Sequence, residues 1–442
     1  MERLLHYVWQ HRLYPYGSLK TVEGVEVEVI TPGLHNDNAG PDFIDAKLKL
    51  NGELWVGNVE VHTRSSDWYH HHHEENAAYD NVILHVVEVC DRSVATSKGR
   101  EVPQLVLAVP DYVEQHYNEL LREERFPLCY QYATSVPSFL MRSWLDRLAA
   151  ERLETKTHQI EDRANRVGGD WETALFVTLA RSFGFGINGD AFEDWAFRIP
   201  LQAAAKHRDD AFQIEALFLG QAGLLQDDML QDYHRDEAMQ EGYFNQLKSE
   251  YHFLANKFSL KPMNGNQWKF LRMRPQNFPH IRIVQLAQLY VQGNVSISKI
   301  IETQTLDDAR RLFQVGVSPY WRTHYAFGAV SASSLKTLRE ESVSSLLINT
   351  FIPALYAYGF HRFHTEYCDR ALQFLSGIKA ENNYIIRMWK DVGLNVETAS
   401  DSQALIELRK QYCERHACLR CRLGLEYLKE THVYHVLQEP EK

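Results

Sequence analysis

The most regular pattern of apolar and polar positions in this chain lies between residues 40 and 87, and it predicts three strands. Residues 43–50 alternate, with Asp42, Ile44, Ala46, Leu48 and Leu50 on one face and Asp45, Lys47 and Lys49 on the other. Asn51-Gly52 follows, a hairpin signal because both residues tolerate positive φ. The returning run, 55–62, carries Asn58, Glu60 and His62 on one face and Val59 and Val61 on the other. Residues 82–89 are almost continuously apolar, the pattern of a strand covered on both faces. Asp42, Glu60 and His62 can therefore converge on one patch, and that patch is the expected seat of chemistry.

The flanking residues fill out the module. Residues 2–12 read as a helix with Leu4, Leu5, Val8 and Trp9 on its apolar face, and residues 25–30 read as a further strand. The turn-rich loop 31–40 offers His35, Asn36, Asp37 and Asn38, either as lining of the patch or as plain turn residues. Asp45 is the fallback ligand if the register slips by one. After His62 come Asp67 and four consecutive histidines, 70–73. Adjacent residues cannot all face one point, so at most two would cooperate at one ion. One of them, with Asp67 and Asn58, is expected to line the cleft. A short helix over 74–80 would connect two parallel strands, and mid-strand His85 reads as a core residue. A strand over 102–109 and a helix over 111–125 close the module. Pro127 and Pro137 bracket a boundary, giving an α/β domain over 1–135 and a mainly helical domain over 136–442.

From residue 139 onward the periodicity is helical. Gly184-Phe185-Gly186-Ile187-Asn188-Gly189 matches a dinucleotide-binding spacing but follows a helix rather than a strand, so it reads as a helix end and turn. Arg272, Arg274 and Arg282 sit among aromatics and prolines ahead of a helix at 281–291. Such a cluster suits phosphate contacts beside a helix N-terminus; the other reading is a structural corner where Arg pairs with the acids of an acidic chain. Near the end, Cys413-x4-Cys418-x2-Cys421 has a spacing that could chelate zinc or an iron–sulfur cluster, with His416 or Cys368 as a fourth ligand. Three ordinary thiols are the other reading.

Pro41-Asp42 and Glu60-Val61-His62 together resemble the motif of the PD-(D/E)xK nuclease superfamily. The resemblance implies a restriction-endonuclease-like mixed sheet flanked by helices. It also implies Mg²⁺ or Mn²⁺ held by Asp42 and Glu60, and hydrolysis of DNA or RNA. His62 stands where the motif has Lys, and could orient or deprotonate the attacking water. The rival expectation is a non-catalytic binding or scaffold protein that kept the fold. The longer run GPDF, VEVH, SSDW and YDNVILHVV is also similar to an uncharacterised bacterial family, a domain of unknown function. That similarity continues through the RPxNFP segment and the Cys motif.

Composition narrows this further. The chain has 442 residues, enough for two or three domains, and 24% charged residues, ordinary for a globular protein. A net charge of -11 argues against indiscriminate coating of nucleic acid but leaves room for a local basic patch. No apolar run suggests a membrane span and the N-terminus does not resemble a signal peptide, so a cytoplasmic location is expected. Six cysteines, three of them crowded near the end, point to thiols or metal rather than a disulfide framework.

Overall fold

The computed structural model describes residues 2–14, 19–36 and 38–429. Among these, the N-terminal part forms a mixed sheet with helices, and a larger helical part follows. The sheet is built from β1 (Leu19–Lys20), β2 (Glu26–Thr31), β3 (Leu34–His35), β4 (Phe43–Leu50), β5 (Glu53–Arg64), β6 (Val82–Val89) and β7 (Gln104–Val106). Its strand order is β1-β2-β4-β5-β6-β7, with β3 paired to β4. β2, β4 and β5 run antiparallel, whereas β5-β6 and β6-β7 are parallel. The β4–β5 hairpin turns at Asn51 and Gly52, both at positive φ (49° and 85°), as their sequence requires.

One face of the sheet is apolar. Val59 and Val61 of β5 and Leu84 and Val86 of β6 pack with Leu4, Leu5, Val8 and Trp9 of α1 (Glu2–His11). Val113 and Leu120 of α3 (Asp111–Arg122) join the same core. Each such side chain stabilises the fold by about 1.5–3 kcal/mol. Strand alternation then points Glu60, His62 and His85 to the opposite face. There Trp68, Tyr79, Val82, Val94 and Val102 form a separate small cluster.

β4 departs from the regular alternation that its sequence predicts. Its pairing shifts between Phe43↔Val59 and Ala46↔Gly57, so three residues of β4 span two of β5. Asp45 absorbs the extra residue at φ 56°. Phe43, Ala46, Leu48 and Leu50 all stay in the core, and Asp42 is turned away from it. Asp42 therefore shares a face with Glu60 rather than with Ala46 and Leu48.

Between α2 (Asp67–His70) and β6 the chain forms two 3-10 turns, His73–Glu75 and Ala77–Tyr79, in place of the expected helix. Asn76 interrupts it: its side chain accepts the Ala78 N–H at 3.0 Å, and its own backbone is extended.

The chain divides into two compact units. Among the described residues, the first holds those up to Met141, Asp391–Leu394 and 408–429; the second holds Arg142–Lys390 and Asn395–Glu407. The Cys motif thus belongs with the sheet, not with the helical domain as its position suggests. Cys418, Leu425 and Leu428 supply the reason, because they bury in the same core as α1 and α3.

The second unit is mainly helical, with isolated bridges at His324–Val330 and Lys379–Thr398. The continuous helix Glu340–Arg362 is long and apolar enough to cross a membrane by composition, contrary to the sequence expectation. Two-thirds of its most apolar stretch is buried within the protein, which accounts for that composition. At the centre of the unit, buried Glu215 accepts hydrogen bonds from Tyr243 Oη, Ser318 Oγ and Trp321 Nε1.

Candidate metal centre

Three short segments deliver the side chains of the site. β5 presents Glu60 and His62 two residues apart. The parallel register sets His85 of β6 beside Glu60. The segment after β5 turns back over this face. Asp67 accepts the Arg64 N–H at 3.0 Å, and its other oxygen meets His70 Nδ1 at 3.3 Å. His72 sits in the left-handed region at φ 57°. Either side of that reversed residue, exposed His71 reaches the His62 ring and buried His73 reaches Glu60, while His72 faces solvent.

The ligand atoms of His62, His71 and His73 all lie within 4.8 Å of one another. Glu60 Oε1 is 3.4 Å from His62 Nε2 and 3.1 Å from His73 Nε2, and His62 Nε2 is 3.2 Å from His71 Nδ1. A tetrahedral ion with bonds of about 2.0–2.1 Å holds its ligand atoms roughly 3.3 Å apart. Glu60 thus stands at ligand spacing from His62 and His73, and His71 at ligand spacing from His62, around one group of three imidazoles. His73 Nε2 is buried with no hydrogen-bond partner in the structure, only the facing carboxylate. A cation would satisfy it.

The surrounding groups fix these ligands. His85 Nε2 lies 2.9 Å from His62 Nδ1. With the proton on Nδ1 and donated to His85, the Nε2 lone pair of His62 points at the centre. The Asp42 N–H donates to Glu60 Oε2 at 3.1 Å, leaving Oε1 to the imidazoles. Tyr79 stacks on the His73 ring at 3.8 Å.

The electrostatics fit a cation. Burial, then the neighbouring Asp42 carboxylate, pushes the Glu60 carboxyl well above the carboxylate range. Burial, then the imidazoles led by His85, lowers His62 to about 2. Burial and His73 lower His85 to about 3, and burial lowers His73. His62, His73 and His85 are therefore neutral at physiological pH, the form that binds metal.

Of the sequence-predicted residues, Asp42, Glu60 and His62 come together. The Asp42 carboxylate accepts the Val61 N–H at 3.0 Å and stands 3.5 Å from His6 Nε2 of α1. Asp45 and Asn58 engage each other at the bulge, Asp45 N–H to Asn58 Oδ1 at 3.4 Å. Asp67 closes the turn described above and is not one of the grouped ligands. His35 packs against His6 and Phe43, and Asn36 ties the loop to Ala39 and Pro41. Asp37 lies outside the described residues. Sequence reasoning limited the four histidines to two cooperating members without saying which. The missing signal was the positive φ of His72.

In the helical unit, Arg272, Arg274 and Arg282 line a cavity of about 540 Å³ with Lys336 and Arg339. Arg272 and Arg274 are exposed. Arg282 is buried, bonded to Gln285 and Asn277 and placed over the Phe185 ring, and its Nε has no hydrogen-bond partner in the structure. Burial, then the charge of Arg339, lowers its pKa to about 10.

These features define a two-unit protein: a mixed-sheet module with a histidine–carboxylate centre, and a helical unit with a basic cleft. The family model described as "Protein of unknown function (DUF2851)" matches residues 2–384, and the chain belongs to that family. Comparisons with curated proteins and with solved structures find no match.

Proposed function

We propose that this protein is a metal-dependent phosphodiesterase acting on DNA or RNA. The observation that carries the reading is the grouping of the His62, His71 and His73 imidazoles, with the Glu60 carboxylate against His62 and His73 and the Asp42 carboxylate bound to the neighbouring Val61 N–H. Glu60, His62, His71 and His73 would hold the ion. A nitrogen-rich set of this kind suits Zn²⁺ or Fe²⁺ better than Mg²⁺ or Mn²⁺. A bound cation supplies a water that ionises near neutral pH and positive charge against the phosphoryl oxygens. Asp42, whose carboxylate is held by the Val61 N–H, would accept a proton from such a water, and His85 would hold His62 in one tautomer.

The nucleic-acid part of the reading has two supports. Pro41-Asp42 and Glu60-Val61-His62 resemble the PD-(D/E)xK motif, and a mixed sheet flanked by helices is the restriction-endonuclease-like arrangement that motif implies. The cationic cleft with Arg272, Arg274, Arg282, Lys336 and Arg339 suits phosphate groups on an otherwise acidic chain.

The test incubates the full chain with labelled single- and double-stranded DNA and RNA, with Mn²⁺ or Zn²⁺ added, beside Glu60→Gln. Metal-dependent cleavage lost in the variant is the expected result. Intact substrates in every arm, with metal demonstrably bound, would leave a binding or scaffold protein.

A further inference from the structure

The three clustered cysteines have a fourth companion, and it is neither His416 nor Cys368. His416 is exposed, and Cys368 lies in the helical unit, where its thiol donates to the Tyr356 carbonyl. The companion is Cys129, nearly three hundred positions upstream and in the same unit as the motif. The segment around it packs directly on the C-terminal one. The Arg409 guanidinium lies 3.7 Å over the Phe126 ring, and the Tyr132 and Tyr427 rings meet at 5.7 Å. Cys129, Phe126, Leu419 and Tyr427 pack on the core that contains Cys418. Burial and then the neighbouring sulfurs act on these thiols: Cys418 and Cys421 on Cys129, and all three others on Cys413.

The local backbone is shaped for this gathering. The helix widens into a π-turn over Leu408–Cys413, and His416 reverses direction at φ 50°. A 3-10 turn then places Cys418 and Cys421 together. Gly424 is required just beyond, since a Cβ there would meet the Cys418 carbonyl oxygen at 2.1 Å. Cys413, Cys418 and Cys421 are buried, and none of the six cysteines is joined in a disulfide.

A second observation points to a ligand. The Tyr7 hydroxyl, on a side chain only 2% exposed, has no hydrogen-bond partner in the structure. Burial above all raises its pKa, and the groups acting on it after that are Cys421, Glu426, Cys418 and Arg422. A buried hydroxyl without an acceptor is costly, by about 1–3 kcal/mol, unless something beside the thiols accepts it.

We infer that Cys129, Cys413, Cys418 and Cys421 ligate an iron–sulfur cluster, with the Tyr7 hydroxyl donating to its sulfur. The spacing separates this from a zinc site. Four thiolates on one zinc, at about 2.3 Å each, stand roughly 3.8 Å apart. Among the described residues, the groups whose ligand atoms fall within 4.8 Å of one another consist of histidines and glutamates, and none contains these thiols. A cluster of several irons holds its four cysteines farther apart than a single ion does. This site is independent of the histidine centre.

The experiment purifies the full chain without oxygen and measures iron, acid-labile sulfide, zinc and visible absorbance. About four irons and four sulfides per chain are expected. Cys129→Ser should lose most of the iron and the absorbance, and Cys90→Ser, whose thiol instead faces Gln104, should keep both. If Cys129→Ser does not fold, Tyr7→Phe decides the point: it should keep the iron and shift the reduction potential. One zinc without sulfide would overturn the cluster. So would a wild-type chain that stays metal-free after reconstitution with iron and sulfide. Full iron in a folded Cys129→Ser would remove Cys129 from the site.

Discussion

Asp42 and Glu60 hold each other across β4 and β5. The Asp42 N–H donates to the Glu60 carboxylate at 3.1 Å, while the Asp42 carboxylate accepts the N–H of Val61, next to Glu60, at 3.0 Å. The exchange joins the start of one strand to the middle of its neighbour and orients both acids. Asp42→Asn keeps an oxygen for the Val61 N–H and should cost little stability. Asp42→Ala leaves that N–H without its acceptor and should cost about 1–3 kcal/mol. Urea unfolding of the metal-free protein, read by circular dichroism, distinguishes the two; equal losses would mean the bond carries no weight.

The four consecutive histidines should separate cleanly into two classes. His71→Ala and His73→Ala each remove a grouped ligand, and loss of even a supporting group typically weakens metal binding about 10–100-fold. Zinc titration by calorimetry should show at least that drop for both. His70→Ala should bind as wild type. So should His72→Gly, because glycine accepts the φ of 57° without strain. A binding loss in His72→Gly matching that of His73→Ala would assign the ligand set wrongly.

Stability of the helical unit should fall in mild acid because of His280. This ring is buried among Phe270, Trp321 and Phe327, and burial lowers its pKa from 6.5 to about 4. The unfolded chain takes up a proton below pH 6.5 that the folded chain refuses until about pH 4. Stability is therefore full above that window and lost as pH falls through it, by about 3 kcal/mol in all. Unfolding midpoints at pH 7.5 and 5 should differ less in His280→Phe than in wild type. An unchanged difference would place the acid sensitivity elsewhere.

Much of the sheet was legible because strand signals are local. The Asn51-Gly52 turn, the Val59/Val61 alternation and the apolar run of β6 each follow from side-chain period and backbone preference within a few residues. The same locality explains the misreading of residues 74–80, where one Asn side chain competing for a backbone N–H outweighs helix periodicity. It also explains why the helix Glu340–Arg362, apolar because it is packed within the protein, looks like a membrane span by composition.

The chain by itself determined which residue types were available: an acid before β4, an acid and an imidazole two apart on β5, a histidine run, and a cysteine triplet. Their meeting was decided in three dimensions. A one-residue bulge at Asp45 turned Asp42 toward Glu60, and a reversed φ at His72 selected His71 and His73. Core packing of the C-terminal segment brought Cys129 to the triplet from far upstream. Bulges, left-handed residues and long-range packing leave little trace in periodicity, because each depends on what the rest of the chain has already buried.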